Sequence, residues 1–268
     1  MTDESGSWHY GLVARWWDEF NLPEPQEVAF YAAAIRRFGE PALDAGCGTG
    51  RILLPLLAEG LDVDGVDISP DMIALAAERA RAAGRAPGLF VQPLHELDLP
   101  RRYRTIYVCG VLGLGGDRDD DRQAMRRLHD HLEPDGVLVL WHELPWEGHD
   151  EPGWARWLPG HRGDYPRPWR ESGDRRRAAD GDEIELISRL VEFDPYHQRH
   201  VLEMRARLWH DGSLVREEVG RLTENLYFAQ ELLLLLDISG FRDVQVEADY
   251  QDRPARSDDG TLIFIARA

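Results

Sequence analysis

Residues 43–50 read Leu43-Asp44-Ala45-Gly46-Cys47-Gly48-Thr49-Gly50. A short apolar run precedes this stretch, and an apolar helical pattern follows it. The chain therefore turns from a buried strand into a helix across three closely spaced glycines. Such a turn needs backbone angles or close approaches that a Cβ would forbid. The free N–H groups at the start of the helix are then available to a ligand. A dinucleotide fingerprint, G-x-G-x-x-G, would place its third glycine at position 51, which is Arg51. Here the glycines fall at 46, 48 and 50, with an acid at Asp44.

The next strand pattern ends in Val66-Asp67-Ile68-Ser69, which puts Asp67 17 residues beyond Gly50. A carboxylate at the carboxyl end of the second strand can accept hydrogen bonds from both hydroxyls of a ribose. Strand and helix patterns alternate outward from here. Strands are expected at residues 41–45, 63–66, 89–92, 105–109 and 137–141, each a short buried run. Helices are expected at 10–20, 27–38, 50–59, 70–83 and 119–132, with Ser69 and Pro70 starting the fourth. Residues 1–7 are expected to be disordered.

The pattern changes after residue 142. Residues 143–182 are rich in Trp, Pro, Gly and Arg, with no period. Residues 183–193, 200–209 and 214–221 then alternate as strands, with Asp211-Gly212 as a hairpin turn. A helix at 226–238 and strands at 244–247 and 262–266 close the chain. The organisation expected is an N-terminal helical lid at 1–40, a nucleotide-binding α/β domain at 41–142 and 223–268, and an inserted antiparallel lobe at 143–222.

The run from Asp44 to Gly50 resembles the first motif of the class I, Rossmann-like S-adenosylmethionine-dependent methyltransferases, in their small-molecule branch. Leu132-Glu133-Pro134-Asp135-Gly136 is similar to that family's turn before the fifth strand, with Asp135 in place of a glycine. Leu236, Ser239, Gly240 and Phe241 are similar to its terminal helix ending. The resemblance covers about residues 10–142 and, more loosely, 223–268. It implies a seven-stranded, mostly parallel sheet with helices on both faces and an antiparallel last strand. It also implies S-adenosylmethionine as cofactor, held by Asp44, Gly46, Gly48, Gly50, Asp67, Ile68, Leu94 and Cys109. Tyr10 and Arg15, on the N-terminal helix, would cover the cofactor, with Arg15 at its methionine carboxylate. Many relatives carry an acid for the adenine amino group where this chain has Pro93. That leaves the adenine to Gln92, Leu94, His95 or stacking alone.

Methyl transfer needs alignment and dry surroundings, plus a base when the acceptor carries a proton. The methyl group should lie by the carboxyl ends of strands one and four, beside Cys109, Gly110 and Val111. His142 and Glu143 are the candidate bases, with His149 behind them. Both cysteines, Cys47 and Cys109, read as small buried hydrophobes rather than nucleophiles. Trp141, Trp146, Trp154, Trp157 and Trp169 suggest either a pocket wall or the core of the lobe. Asp117-Arg118-Asp119-Asp120-Asp121 reads as the acidic start of a helix.

Net charge is −18, which disfavours nucleic acid and anionic membranes as partners. All 31 basic residues are arginine, a composition that points to a GC-rich, bacterial genome. With two unpaired cysteines and a polar, acidic start, a cytoplasmic enzyme is expected. Its partner is a small-molecule acceptor, methylated at N or O, and a homodimer stays open. No metal is expected. The alternatives are a non-catalytic protein that binds the same cofactor and, with less support, an NAD-dependent oxidoreductase.

Overall fold

The computed structural model describes residues 7, 9–145, 155–251 and 253–268. Trp146, His149 and Trp154, named above, lie outside them, as does the stretch 1–6. Five parallel strands lead the fold: β1 (Ala42–Ala45), β2 (Val63–Asp67), β3 (Leu89–Val91), β4 (Tyr103–Cys109) and β5 (Leu132–Glu143). They join β10 (Arg242–Ala248) and β11 (Thr261–Arg267) in a seven-stranded sheet of order β10-β11-β5-β4-β1-β2-β3. The last strand, β11, runs antiparallel to both of its neighbours. Strand order reverses between β1 and β4, and α/β sheets bind ligands at the carboxyl ends of the strands flanking such a reversal.

The helices are α1 (Gly11–Phe20), α2 (Pro25–Phe38), α3 (Leu53–Ala58), α4 (Pro70–Ala82), α5 (Arg118–Asp130) and α6 (Ala229–Ile238). Side chains alternate across the central strands, so the sheet has an apolar core on each face. Leu43, Ile106, Leu138 and Phe264 meet Met125, Leu128 and Leu236 of α5 and α6. On the other face Ala42, Val63, Tyr107 and Val139 meet Tyr31, Ile35, Leu53 and Leu56 of α2 and α3.

Local chemistry sets the helix starts. Met72 donates its N–H to the Ser69 hydroxyl at 3.3 Å, ahead of Pro70. Asp117 and Asp120 form a reciprocal capping box on α5. The helix expected from residue 50 begins instead at Leu53. Gly46, Gly48 and Gly50 have φ of 89°, 53° and 84°, and the chain is still turning through that stretch. The turn expected at 134–136 survives inside β5 as an irregularity opposite Tyr103–Thr105, with Asp135 at φ 60°.

The lobe is a four-stranded antiparallel sheet of β6 (Asp174–Arg177), β7 (Glu183–Asp194), β8 (Arg199–His210) and β9 (Ser213–Asn225). The edge strand β6 is all charge, Asp-Arg-Arg-Arg, and carries no alternation for a sequence reading to find. The boundary expected at 222/223 falls inside β9. One face of this sheet packs on α1, where Leu12, Val13 and Trp16 bury against Ile184, Leu186, Met204, Ala206 and Leu222. Among the described residues, no helix is long and apolar enough to cross a membrane.

Candidate active site

A cavity of about 540 Å³ opens at the carboxyl ends of β1, β2 and β4. Its floor is the loop Gly46–Thr49. A Cβ on Gly46 would sit 2.5 Å from Val111 Cγ1, whereas one on Gly48 would meet nothing within 4 Å. Gly46 is therefore required by packing, whereas Gly48 faces open space and is constrained only by its φ of 53°.

Asp67 stands at the rim of this loop. Gly48 donates its N–H to Asp67 Oδ2 at 2.9 Å, and Ser69 donates to Oδ1 at 2.8 Å. Two backbone amides thus fix the carboxylate, and each oxygen keeps a further lone pair for a ligand. Burial raises the Asp67 pKa, and those amides oppose the shift. Asp44 is buried beneath the loop, and burial pushes its pKa up to about 7 against the pull of Tyr107 and Arg51. Arg51, on the cavity wall, grips the buried Glu27 with both terminal nitrogens, Nη2 at 2.6 Å.

Of the residues singled out from sequence, Asp44, Gly46, Gly48, Asp67, Ile68, Leu94 and Cys109 all line the cavity. Gly50 does not. Its φ of 84° serves the turn, and a Cβ there would press Leu54 at 3.0 Å. Tyr10 precedes α1, and its carbonyl accepts from Val13 and Ala14 instead of facing the cavity. Arg15 points away, since Glu19, Asp180 and Asp182 take up its guanidinium at 2.7–3.1 Å. Three carboxylates outcompete a single distant one. The N-terminal segment does cover the cavity, through Ser7, His9, Trp17 and Asn21. Ser69 Oγ anchors it by donating to the His9 carbonyl at 2.6 Å. Burial lowers the His9 pKa to about 4, so the ring is neutral at pH 7.

The candidate bases are not on the cavity wall. His142 is buried on the α5–α6 side of β5, its Nε2 donating to the Tyr227 carbonyl at 3.0 Å. Glu143 is exposed at the end of β5, opposite Thr261. Trp141, Trp157 and Trp169 are also absent from the wall. Trp141 donates to Asp249, Trp157 packs on Phe193 and Phe228, and Trp169 lies between Arg189 and Arg205. Burial raises the pKa of both cysteine thiols, Cys109 to about 11, which keeps them protonated and poor nucleophiles. Gln92 is spent on the turn after β3, donating to the Asp98 carbonyl at 3.1 Å and accepting from its N–H at 2.9 Å. Pro93, Leu94 and His95 remain on the wall beside it.

Sequence reading missed Asp121. This buried carboxylate lines the cavity and accepts from Tyr227 Oη at 2.7 Å and Asn225 Nδ2 at 2.8 Å. It read as one acid among several at a helix start, because its partners lie more than 100 residues away. Among the described residues no cluster suited to a metal ion occurs.

Residues 43–138 match the methyltransferase domain family. Over nearly its whole length the fold is similar to that of S-adenosylmethionine-dependent methyltransferases of known structure. CcbJ methyltransferase from Streptomyces caelestis superposes with a TM-score of 0.69 at 22% identity, over 100% of this chain and 98% of that one. The SAM-bound amino pentose methyltransferase CalS10 from Micromonospora echinaspora gives 0.64 at 21%, over 98% and 99%. In sequence, the dTDP-3-amino-3,6-dideoxy-alpha-D-glucopyranose N,N-dimethyltransferase of Streptomyces fradiae is 33% identical over 126 residues, 45% of this chain and 46% of that protein. The chain spans about half the length of the curated relatives it matches. The matched stretch 43–138 thus supplies the cavity floor, and the α1 segment supplies its cover.

Proposed function

We propose that this protein is an S-adenosylmethionine-dependent methyltransferase acting on a small molecule, with an amino nitrogen as the acceptor favoured over oxygen. The observation that carries the reading is Asp67, pinned by two backbone amides beside a glycine that leaves open space above it. That pairing suits a ribose diol in the open space over the turn. The residues fit the rest of the cofactor as well. Ile68 and Leu94 offer apolar faces to an adenine, in place of the acid that Pro93 displaces. The nitrogen acceptor is supported by the Streptomyces fradiae relative, whose name specifies N,N-dimethylation of an amino sugar. The bacterial relatives and two free cysteines support a bacterial, cytoplasmic setting.

When bound, the cofactor supplies an electrophilic methyl group on a cationic sulfonium. The chain's own residues then have three tasks. Asp67 and the Gly46–Thr49 loop orient the bound nucleoside. Trp17 and His9 shut water out from the N-terminal side. Cys109, Gly110 and Val111, at the end of β4, give the acceptor an uncharged approach, since the Cys109 thiol stays protonated near neutral pH.

Calorimetry with S-adenosylhomocysteine and with NAD tests the reading. Binding of the first and not the second is expected. Asp67→Ala should weaken S-adenosylhomocysteine by about tenfold to a hundredfold, the range for hydrogen bonds to a charged group. NAD binding alone would exclude a methyltransferase.

A further inference from the structure

The strands that flank β1 set a span across the cavity floor. Ala45 of β1 pairs with Val66 of β2 on one side and with Val108 of β4 on the other. Asp67 and Cys109 come next along their strands, so they flank Gly46, two strand spacings or about 10 Å apart. The Asp67 end of this span carries a carboxylate. The Cys109 end carries a cation, because Arg51 Nη2 lies 3.7 Å from Cys109 Sγ and both residues line the cavity. Among the described residues Arg51 is the only arginine on the wall, and the chain has no lysine. Four aspartates share that wall: Asp44, Asp67, Asp120 and Asp121.

Arg51 is held in place with donors to spare. A guanidinium offers five N–H groups in a rigid, planar fork. Glu27 takes the end of the fork, with Nη1 and Nη2, the latter at 2.6 Å. The side edge, Nε with the second hydrogen of Nη2, meets only the Cys109 sulfur among the described residues, a weak acceptor at 3.7 Å. The Arg51 side chain is 23% exposed, against 6% for Glu27. Glu27 is itself fixed, since Tyr250 Oη donates to it at 3.1 Å and Cys109 Sγ at 3.5 Å. An arginine clamped at one edge by a buried carboxylate and open at the other is pre-organised for a second carboxylate.

We propose that Arg51 receives the carboxylate of the cofactor's amino-acid arm, and so selects S-adenosylmethionine and S-adenosylhomocysteine over nucleosides that lack this group. This rests on the methyltransferase reading, which puts the ribose diol on Asp67. From there the arm crosses Gly46 towards β4, and its carboxylate ends at the one cationic part of the wall. Beside the aspartates the same carboxylate would meet like charge. Glu27 acts through Arg51 as a positioning residue.

Calorimetry on the full chain tests this with three ligands: S-adenosylhomocysteine, its decarboxylated analogue S-adenosyl-3-thiopropylamine, and 5′-methylthioadenosine, which lacks the whole amino-acid arm. Failure of the wild type to bind any of them would refute the parent reading. Given binding, the wild type should hold S-adenosylhomocysteine about tenfold to a hundredfold more tightly than the decarboxylated analogue, the range for a hydrogen bond to a charged group. The acidic wall by itself favours the analogue, a cation, so this preference reads Arg51. Arg51→Gln should abolish the preference and keep 5′-methylthioadenosine affinity within about twofold, which shows that the nucleoside end is intact. Removing Arg51 alone leaves the Glu27 charge buried and unpaired. The double variant Arg51→Gln, Glu27→Gln removes both charges and should give the same result. Equal wild-type affinity for S-adenosylhomocysteine and its decarboxylated analogue overturns the proposal, whatever the variants do. A preference that survives in either variant also overturns it.

Discussion

Two glycines two residues apart answer to different constraints. Gly46→Ala drives a Cβ into Val111 at a φ of 89° and should destabilise the fold by about 1–3 kcal/mol, read from the denaturation midpoint. Gly48→Ala meets no protein atom, so it should cost only about 1–2 kcal/mol of backbone strain. Its larger effect should be at least a tenfold loss of S-adenosylhomocysteine affinity, because the added methyl occupies ligand space. Asp44 supplies a pH test. Its folded pKa of about 7 lies above the ordinary value, so the folded state binds the extra proton. The stability this gives is complete below about pH 4 and is lost as pH rises to about 7. Asp44→Asn should therefore gain stability relative to wild type across that window, on the order of 4 kcal/mol, measured by urea denaturation at each pH.

At the scale of elements, α5 shows how a short signal places a helix. Its acidic start, Asp117 to Asp121, serves two ends: Asp117 and Asp120 cap the helix, and Asp121 turns inward to Tyr227 and Asn225. Asp117→Ala should cost about 1 kcal/mol in thermal denaturation, the usual value of an N-cap. The central strands β1, β4 and β11 were legible because each is a mostly buried apolar run between turn residues. The edge strand β6 was not, because its pairing with β7 depends on backbone bonds and surface ion pairs such as Arg175–Glu183. The start of α3 was misplaced by three residues, since the apolar pattern begins before the glycine turn ends.

Over the whole molecule, the cavity joins three distant stretches: the α1 segment, the glycine loop and the start of α5. A ligand held by all three should stabilise the fold cooperatively. S-adenosylhomocysteine at a hundred times its Kd should add about 2.7 kcal/mol to the unfolding free energy, and NAD should add nothing. Thermal denaturation with each ligand reads the difference. The lobe takes part because α1 is packed into its inner face while also covering the cavity.

By itself the sequence determined the strand–glycine–helix turn, the acid at the end of β2 and the alternation of strands and helices. Each depends on residues within a few positions of one another, where sterics and periodicity act directly. Only the tertiary structure decided that Arg15 serves the lobe, that His142 is held by Tyr227, and that Glu224 bridges to Leu114. Those roles come from partners up to about 170 residues apart, whose meeting is set by packing and strand register rather than by local spacing.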